Sequence, residues 1–249
     1  MSFKDHFSGH AALYREARPT YPPALFAWLA RQAPATRLAW DVGCGSGQAA
    51  LALAGHFSRV VASDPSAEQL AHAGQHPRVD YRVEAAEHGS LEDVSVDLVT
   101  VGQALHWFDH PAFFAEVDRV LNPDGILAIW CYADVHVTPE VDAHIEHLYR
   151  DITDPYWAPE RDLVDNGYAD ITMPFAALDP PHFDMEMSWT APQLLDYLRS
   201  WSASQRYRRD QGHDPVTLIE QGLLESWGAP DQVYPVRWAF HLHVRRKSS

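Results

Sequence analysis

Three alternate glycines follow a short apolar run in Trp40-Asp-Val-Gly-Cys-Gly-Ser-Gly47, and a stretch of helical composition follows them. A strand that turns directly into a helix needs residues tolerant of positive φ, and backbone without side chains lets a ligand approach closely. The segment therefore reads as a ligand cradle. Its spacing restricts what it can hold. Dinucleotide folds use GxGxxG and aim the helix N-terminus at a pyrophosphate, whereas Gly43, Gly45 and Gly47 bring the third glycine one residue early. Asp41 stands ahead of the first glycine, where its carboxylate can order the loop or reach a ligand ammonium and would repel a pyrophosphate. The pattern favours a cationic amino-acid ligand.

Further chemistry falls at matching places downstream. Asp64 ends the apolar run at 60–63, a position from which an acid accepts hydrogen bonds from both ribose hydroxyls of a nucleoside. Ala86-Glu87 follows the run at 79–83, and Gly102-Gln103 follows the run at 98–101. Gln103-Ala-Leu-His-Trp-Phe108 then collects aromatic and titratable groups where a ligand crevice is expected. His106 stands either as a base for a hydroxyl, phenol or amine nucleophile or as a neutral hydrogen-bonding ring, and Trp107 lines the same segment. Trp130 and Tyr132 end the run at 126–130 and are candidates to wall a pocket, with core packing the expected role of at least one. Cys44 lies inside the loop with nothing basic beside it in sequence to activate the thiol, so it reads as inert.

The elements that must position these groups are legible as an alternation. Short β-rich runs at 38–42, 60–63, 79–83, 98–101 and 126–130 are separated by helical stretches at 48–57, 66–73 and 111–121, the pattern of βαβ units around a parallel sheet. Ser66 and Gln69 have capping-box spacing, Asp109 precedes Pro111 as a helix entry, and Asn122-Pro-Asp-Gly125 reads as a turn before the fifth strand. A helix over Pro23–Gln32 comes first. Beyond residue 132 the pattern loosens. Helical character returns at 138–152, 192–201 and 215–227, strand-like alternation at 182–189 and 236–244, and 154–181 is rich in Pro, Asp and aromatics without a period. The expectation is a Rossmann-like doubly wound α/β sheet of seven strands in the order 3-2-1-4-5-7-6, mostly parallel with an antiparallel C-terminal edge. The parts expected are a covering segment and helix at 1–34, a ligand-binding core at 35–132, an insertion or cap at 133–181, and completing strands and helices at 182–249.

Composition bounds the partners. The 249 residues carry 34 acidic and 19 basic side chains, a formal charge of −15 that disfavours nucleic acid. Two cysteines are too few for a disulfide framework, the N-terminal stretch has no apolar run of signal-peptide length and nowhere do eighteen apolar residues run uninterrupted, so a cytoplasmic enzyme off the membrane is expected, as a monomer or homodimer. His144 and His147 lie one helical turn apart, but no third ligand accompanies them and no metal is assigned.

In order, Asp41-Val-Gly-Cys-Gly-Ser-Gly47, Asp64, Ala86-Glu87, Val96-Asp-Leu-Val-Thr100 and Leu121-Asn-Pro-Asp-Gly125 resemble the motif set of class I S-adenosylmethionine-dependent methyltransferases of the methyltransferase type 11 kind, over about residues 35 to 132. The resemblance implies S-adenosyl-L-methionine as cofactor, with Gly43 and Gly45 at its methionyl part, Asp64 at the ribose and Ala86-Glu87 at the adenine; Asp41 and Gln103 join the same crevice. Tyr14-Arg-Glu-Ala-Arg-Pro-Thr-Tyr-Pro22, the segment after the fourth strand and Ser200-Trp-Ser202 resemble the trans-aconitate methyltransferase-like branch. That narrower resemblance implies a small-molecule acceptor, including carboxylates, and places Tyr14, Arg18 and Tyr21 over the cofactor, Tyr21 reaching the substrate side. A carboxylate nucleophile needs no base and wants cations; Arg199, Arg206, Arg208 and Arg209 offer them, or else form a solvated helix face. An NAD-dependent oxidoreductase and a non-catalytic S-adenosylmethionine binder are the competing readings.

Overall fold

The computed structural model describes residues 18–248. Five parallel strands form its centre: β1 (Leu38–Val42), β2 (Arg59–Asp64), β3 (Val79–Val83), β4 (Val96–Gly102) and β5 (Leu121–His136). Three more complete the sheet, β6 (Ala176–Leu178), β7 (Met185–Trp189) and β8 (Tyr234–Arg246). The order is β3-β2-β1-β4-β5-β8-β6, with β7 also pairing β8. The expected 3-2-1-4-5-7-6 arrangement holds, but the outer position is shared. β7 pairs with residues 234–238 of β8 and β6 with residues 244–246, so two short strands cover one long one.

Both faces of the sheet are covered, which is why its central strands are apolar on successive residues rather than alternating with polar ones. On one face α1 (Pro23–Gln32), α2 (Gln48–Leu53) and the turn after it bury Leu25, Leu29, Leu53 and Phe57 against Ala39, Leu98, Ala128 and Trp130. On the other, α4 (His110–Val120) buries Phe113, Val117 and Val120 against Trp40, Val61, Val99 and Leu127. A short α3 (Ala67–Ala71) follows β2. A third core gathers the rest of the chain. There α5 (Pro139–Glu146), α7 (Ala191–Arg199) and α9 (Thr217–Trp227) pack Ile145, Leu194, Leu198 and Leu223 around Trp189, Trp201, Trp227 and Trp238. Segments 133–181 and 182–249 thus share one apolar interior.

Local chemistry differs from the expected boundaries at four places. The Asn122–Gly125 turn is absorbed into β5 as an irregularity. The register against β4 shifts between Val96 and Leu98, Asp124 takes φ +63°, and Lys247 N–H donates to the Gly125 carbonyl at 3.0 Å, fastening the bulge to the chain's far end. Ser66 caps α3 by accepting from Gln69 N, but the reciprocal bond of a capping box is replaced by Ser66 N donating to Asp64 Oδ1. Segment 154–181 is not one loop: it holds a turn at Asp154–Tyr156, helix α6 (Arg161–Asp165) and β6. Finally α8 (Ser202–Gln211) carries Arg206, Arg208 and Arg209, in keeping with the helix-face alternative for the basic cluster.

Candidate active site

At the carboxyl end of β1 the glycines take the conformations their type allows: φ is +64°, +52° and +81° at Gly43, Gly45 and Gly47. Gly43 also meets a close approach, since a Cβ there would lie 2.6 Å from Ala104 Cβ. Asp64 holds this loop from the next strand. Its Oδ2 accepts from Gly45 N at 2.9 Å and its Oδ1 from Ser66 N at 2.8 Å, and each carboxylate oxygen can accept from more than one donor.

Asp41 is 1 % exposed, and Thr100 donates to its Oδ1 at 2.9 Å, while its buried Oδ2 has no hydrogen-bond partner. Burial, against the Thr100 bond, pushes its carboxyl up to about 7. An orphaned acceptor in a cradle of left-handed glycines fits a cationic group. The same burial, with Asp41 and Asp64 nearby, drives the Cys44 thiol well above its ordinary range, so Cys44 is inert as expected. Ala86 is buried in the core that Phe113 also joins, and Glu87 accepts from Asp109 N at 2.9 Å, at the entry to α4.

Beyond β4 the chain turns sharply. Gln103 adopts φ +57°, and its side-chain amide brackets β5 at Tyr132, donating to the carbonyl at 3.1 Å and accepting from N–H at 2.8 Å. Gln103 is thereby committed to holding the turn. A 3₁₀ turn, Leu105–Trp107, then sets the His106 ring 4.6 Å from the Trp107 ring. Gln103, His106 and Trp107 line a cavity of about 50 Å³ with Arg18, Tyr132, Trp157, Ala158, Arg161, Tyr197, Trp201 and Ser202. Arg18 Nη1 donates to the Tyr132 hydroxyl at 3.0 Å, and its guanidinium faces the Tyr197 ring at 5.7 Å. Arg161 lies over Trp157 at 4.9 Å; its Nε donates to Asp165 at 2.8 Å and to Tyr149 at 3.1 Å. Both bonds leave from Nε, so the paired Nη edge is not consumed by them. The room is on the order of a few water molecules.

Several expected site residues lie elsewhere. Arg199 is not at the cavity: it joins α7 to α9 through Asp214 and Glu220, both at 2.8 Å, and Asp196 at 3.3 Å. Arg206 Nη1 donates to the Tyr156 carbonyl at 3.1 Å on α8 and does not line the cavity either. Trp130 is fully buried on the α1 face, packed edge-on against Tyr21 at 5.3 Å and Phe26 at 6.2 Å, so core packing is its role and Tyr132 is the wall residue. Tyr21 sits with Trp130 rather than in the cavity. Tyr14 falls outside the described residues. His144 approaches Ser226 at 3.2 Å and His147 pairs with Asp151 at 2.7 Å, so the two do not converge. His106 does line the cavity, and burial with the Arg161 charge lowers its ring to about 3, which favours the neutral hydrogen-bonding ring over the base among the two expected roles. Arg161, Trp157 and Tyr197 were missed by sequence reasoning. The available signal was an aromatic-Arg run in the aperiodic stretch, Tyr156-Trp-Ala-Pro-Glu-Arg161.

Residues 40–129 match a methyltransferase domain. A methyltransferase of Dictyostelium discoideum is 36% identical over 233 residues, covering 92% of this chain and 89% of its own. The chain belongs to the class I S-adenosylmethionine-dependent methyltransferases. A structure described as a type II methyltransferase from Anaeromyxobacter dehalogenans superposes with a TM-score of 0.86 at 42% identity, covering 93% of this methyltransferase and 99% of that chain. A protein of Saccharomyces cerevisiae named as an S-adenosylmethionine-dependent methyltransferase is 24% identical across 95% of both chains. No helix among the described residues of the methyltransferase is long and apolar enough to cross a membrane.

Proposed function

We propose that this methyltransferase transfers the methyl of S-adenosyl-L-methionine to an oxygen of a small carboxylate. The observation that carries the substrate class is the pairing of Arg18 and Arg161 in one aromatic-walled cavity of an otherwise acidic chain. Guanidinium groups recognise carboxylates through parallel hydrogen bonds, and partial burial strengthens them. Proposed cofactor contacts are Asp41 to the ammonium, the Gly43–Gly45 backbone to the methionyl part, Asp64 to the ribose, and the Ala86-Glu87 segment to the adenine; Arg18 is proposed to cover the cofactor as well as to line the acceptor cavity. The divisions 35–132 for the cofactor and 133–181 with 182–249 for the acceptor wall follow from the same reading.

When bound, S-adenosylmethionine supplies a methyl group on a sulfonium. The chain's own task is to align the acceptor oxygen, hold it and exclude water. Arg18 and Arg161 fix the carboxylate; Trp107, Trp157 and Trp201 close the walls. A carboxylate attacks without losing a proton, in keeping with a cavity whose imidazole, that of His106, is neutral and half-buried.

Calorimetric titration with S-adenosylmethionine, S-adenosylhomocysteine and NAD, followed by a methyl-transfer screen of small carboxylic acids against matched alcohols and amines, tests both halves. Micromolar affinity for the two sulfur ligands, no NAD binding and ester products are expected. Binding of NAD alone would overturn the cofactor assignment, and products from amines or alcohols only would overturn the carboxylate.

A further inference from the structure

Tyr168 is fully buried, yet it carries a hydroxyl and takes φ +61°, a left-handed backbone that non-glycine residues adopt at a cost. Its position is over-determined. Gly167 before it is also left-handed, at +65°; a Cβ there would come within 2.6 Å of the His241 ring, and its carbonyl accepts from His243 Nε2 at 2.7 Å. Tyr168 N donates to the Leu163 carbonyl at 2.8 Å, closing α6. A tyrosine pinned this way against β8 is aimed at one atom: its hydroxyl lies 2.8 Å from His106 Nδ1.

Which partner donates follows from satisfaction. The hydroxyl is buried, and the acceptor within its reach is the ring nitrogen. Were Nδ1 the protonated nitrogen, the buried hydroxyl hydrogen would be left without an acceptor, which a folded interior disfavours. Tyr168 therefore donates, Nδ1 accepts, and the single ring hydrogen of a neutral imidazole resides on Nε2. The charged and titratable groups facing the ring, Arg161 and His110, both oppose its protonation.

We propose that Tyr168 is a positioning residue that locks His106 as the Nε2–H tautomer, so that His106 serves the cavity as a hydrogen-bond donor and selects acceptors presenting an oxygen lone pair there. With Arg18 and Arg161 it makes a third donor around the acceptor carboxylate. This inference rests on the assignment of the cavity as the acceptor site. In the transfer itself one carboxylate oxygen forms the O–CH₃ bond with its lone pair as the C–S bond breaks. The bonding pair goes to sulfur, no proton moves, and His106 keeps its hydrogen throughout.

The test is ¹⁵N-histidine NMR of the full chain with S-adenosylhomocysteine, the His106 ring assigned by its loss in His106→Gln. The wild type should show the Nε2–H tautomer from pH 6 to 9, and Tyr168→Phe, checked for an unchanged fold by circular dichroism, should lose that single tautomer. An Nδ1–H ring or an imidazolium in the wild type, or an unchanged tautomer in Tyr168→Phe, overturns the proposal. Should Tyr168→Phe not fold, the wild-type protein decides alone, through a slowly exchanging Tyr168 hydroxyl proton that does or does not contact the ring. This readout needs no substrate. It therefore stands or falls apart from the carboxylate assignment, which the methyl-transfer screen decides.

Discussion

The sharpest consequence for one side chain concerns Asp41. A carboxyl whose pKa is about 7 when folded and near 3.8 when exposed holds its proton in the folded state over a range where the unfolded chain has lost it. Folding stability contributed by this group is therefore greatest below about pH 4, declines as pH rises between the two values, and reaches its full penalty above pH 7, at most about 4 kcal/mol. Asp41→Asn removes the buried charge while keeping an oxygen for Thr100. Thermal melts at pH 8 should show the variant more stable than the parent, with the gap closing toward pH 5. Calorimetry should show affinity for S-adenosylmethionine falling by about tenfold or more if Asp41 is, as proposed, the partner of its ammonium, since the variant has lost that charge. A variant no more stable at pH 8 would mean that Asp41 is not a charge held for the ligand.

At the scale of the elements, the recurring motif residues divide into two ends of the sheet. Asp97 and Asn122 belong to the same recognisable motif set as the glycine loop, yet they meet at the amino ends of β4 and β5, away from the crevice. Asp97 accepts from Arg37 N at 2.9 Å, Leu38 N at 3.3 Å and Asn122 Nδ2 at 2.8 Å, and is fully buried. Asp97→Ala should lower stability by about 2–4 kcal/mol, since it leaves several buried donors unmatched, while the calorimetric Kd for S-adenosylmethionine stays within about twofold. A selective loss of cofactor affinity would contradict this division. The same contrast explains what the sequence could disclose. The cradle, Asp64 and β1–β4 were readable because each is local: glycines demanded by φ, an acid at a strand end, apolar runs of strand length. Arg161, Trp157 and Tyr197 were not. They come from α6, its approach and α7, and only the apolar interior shared by segments 133–181 and 182–249 brings them to the end of β4. A basic cluster in sequence drew Arg199 and Arg206 into the reading because nothing local revealed that Asp214, Glu220 and Tyr156 already engage them.

For the whole molecule, the charge of −15 and the two guanidinium groups of the cavity act on an anionic acceptor with opposite signs and different ranges. Repulsion by exposed carboxylates is long-ranged and is screened as the Debye length falls from about 30 Å at 0.01 M salt to about 8 Å at 0.15 M. Attraction by Arg18 and Arg161 acts at contact, partly shielded from solvent, and survives that screening better. The kcat/KM for a carboxylate acceptor should therefore rise with salt over this range, while a neutral analogue changes little. Arg161→Leu retains the apolar contact with Trp157 but removes the charge; it should raise KM for the carboxylate by about tenfold or more with a smaller change in kcat, consistent with loss of binding shared by ground and transition states. Because the long-range repulsion remains, the variant should keep the same upward salt dependence. A variant that loses it would mean that the cavity cations, rather than the acidic surface, set the response to ionic strength.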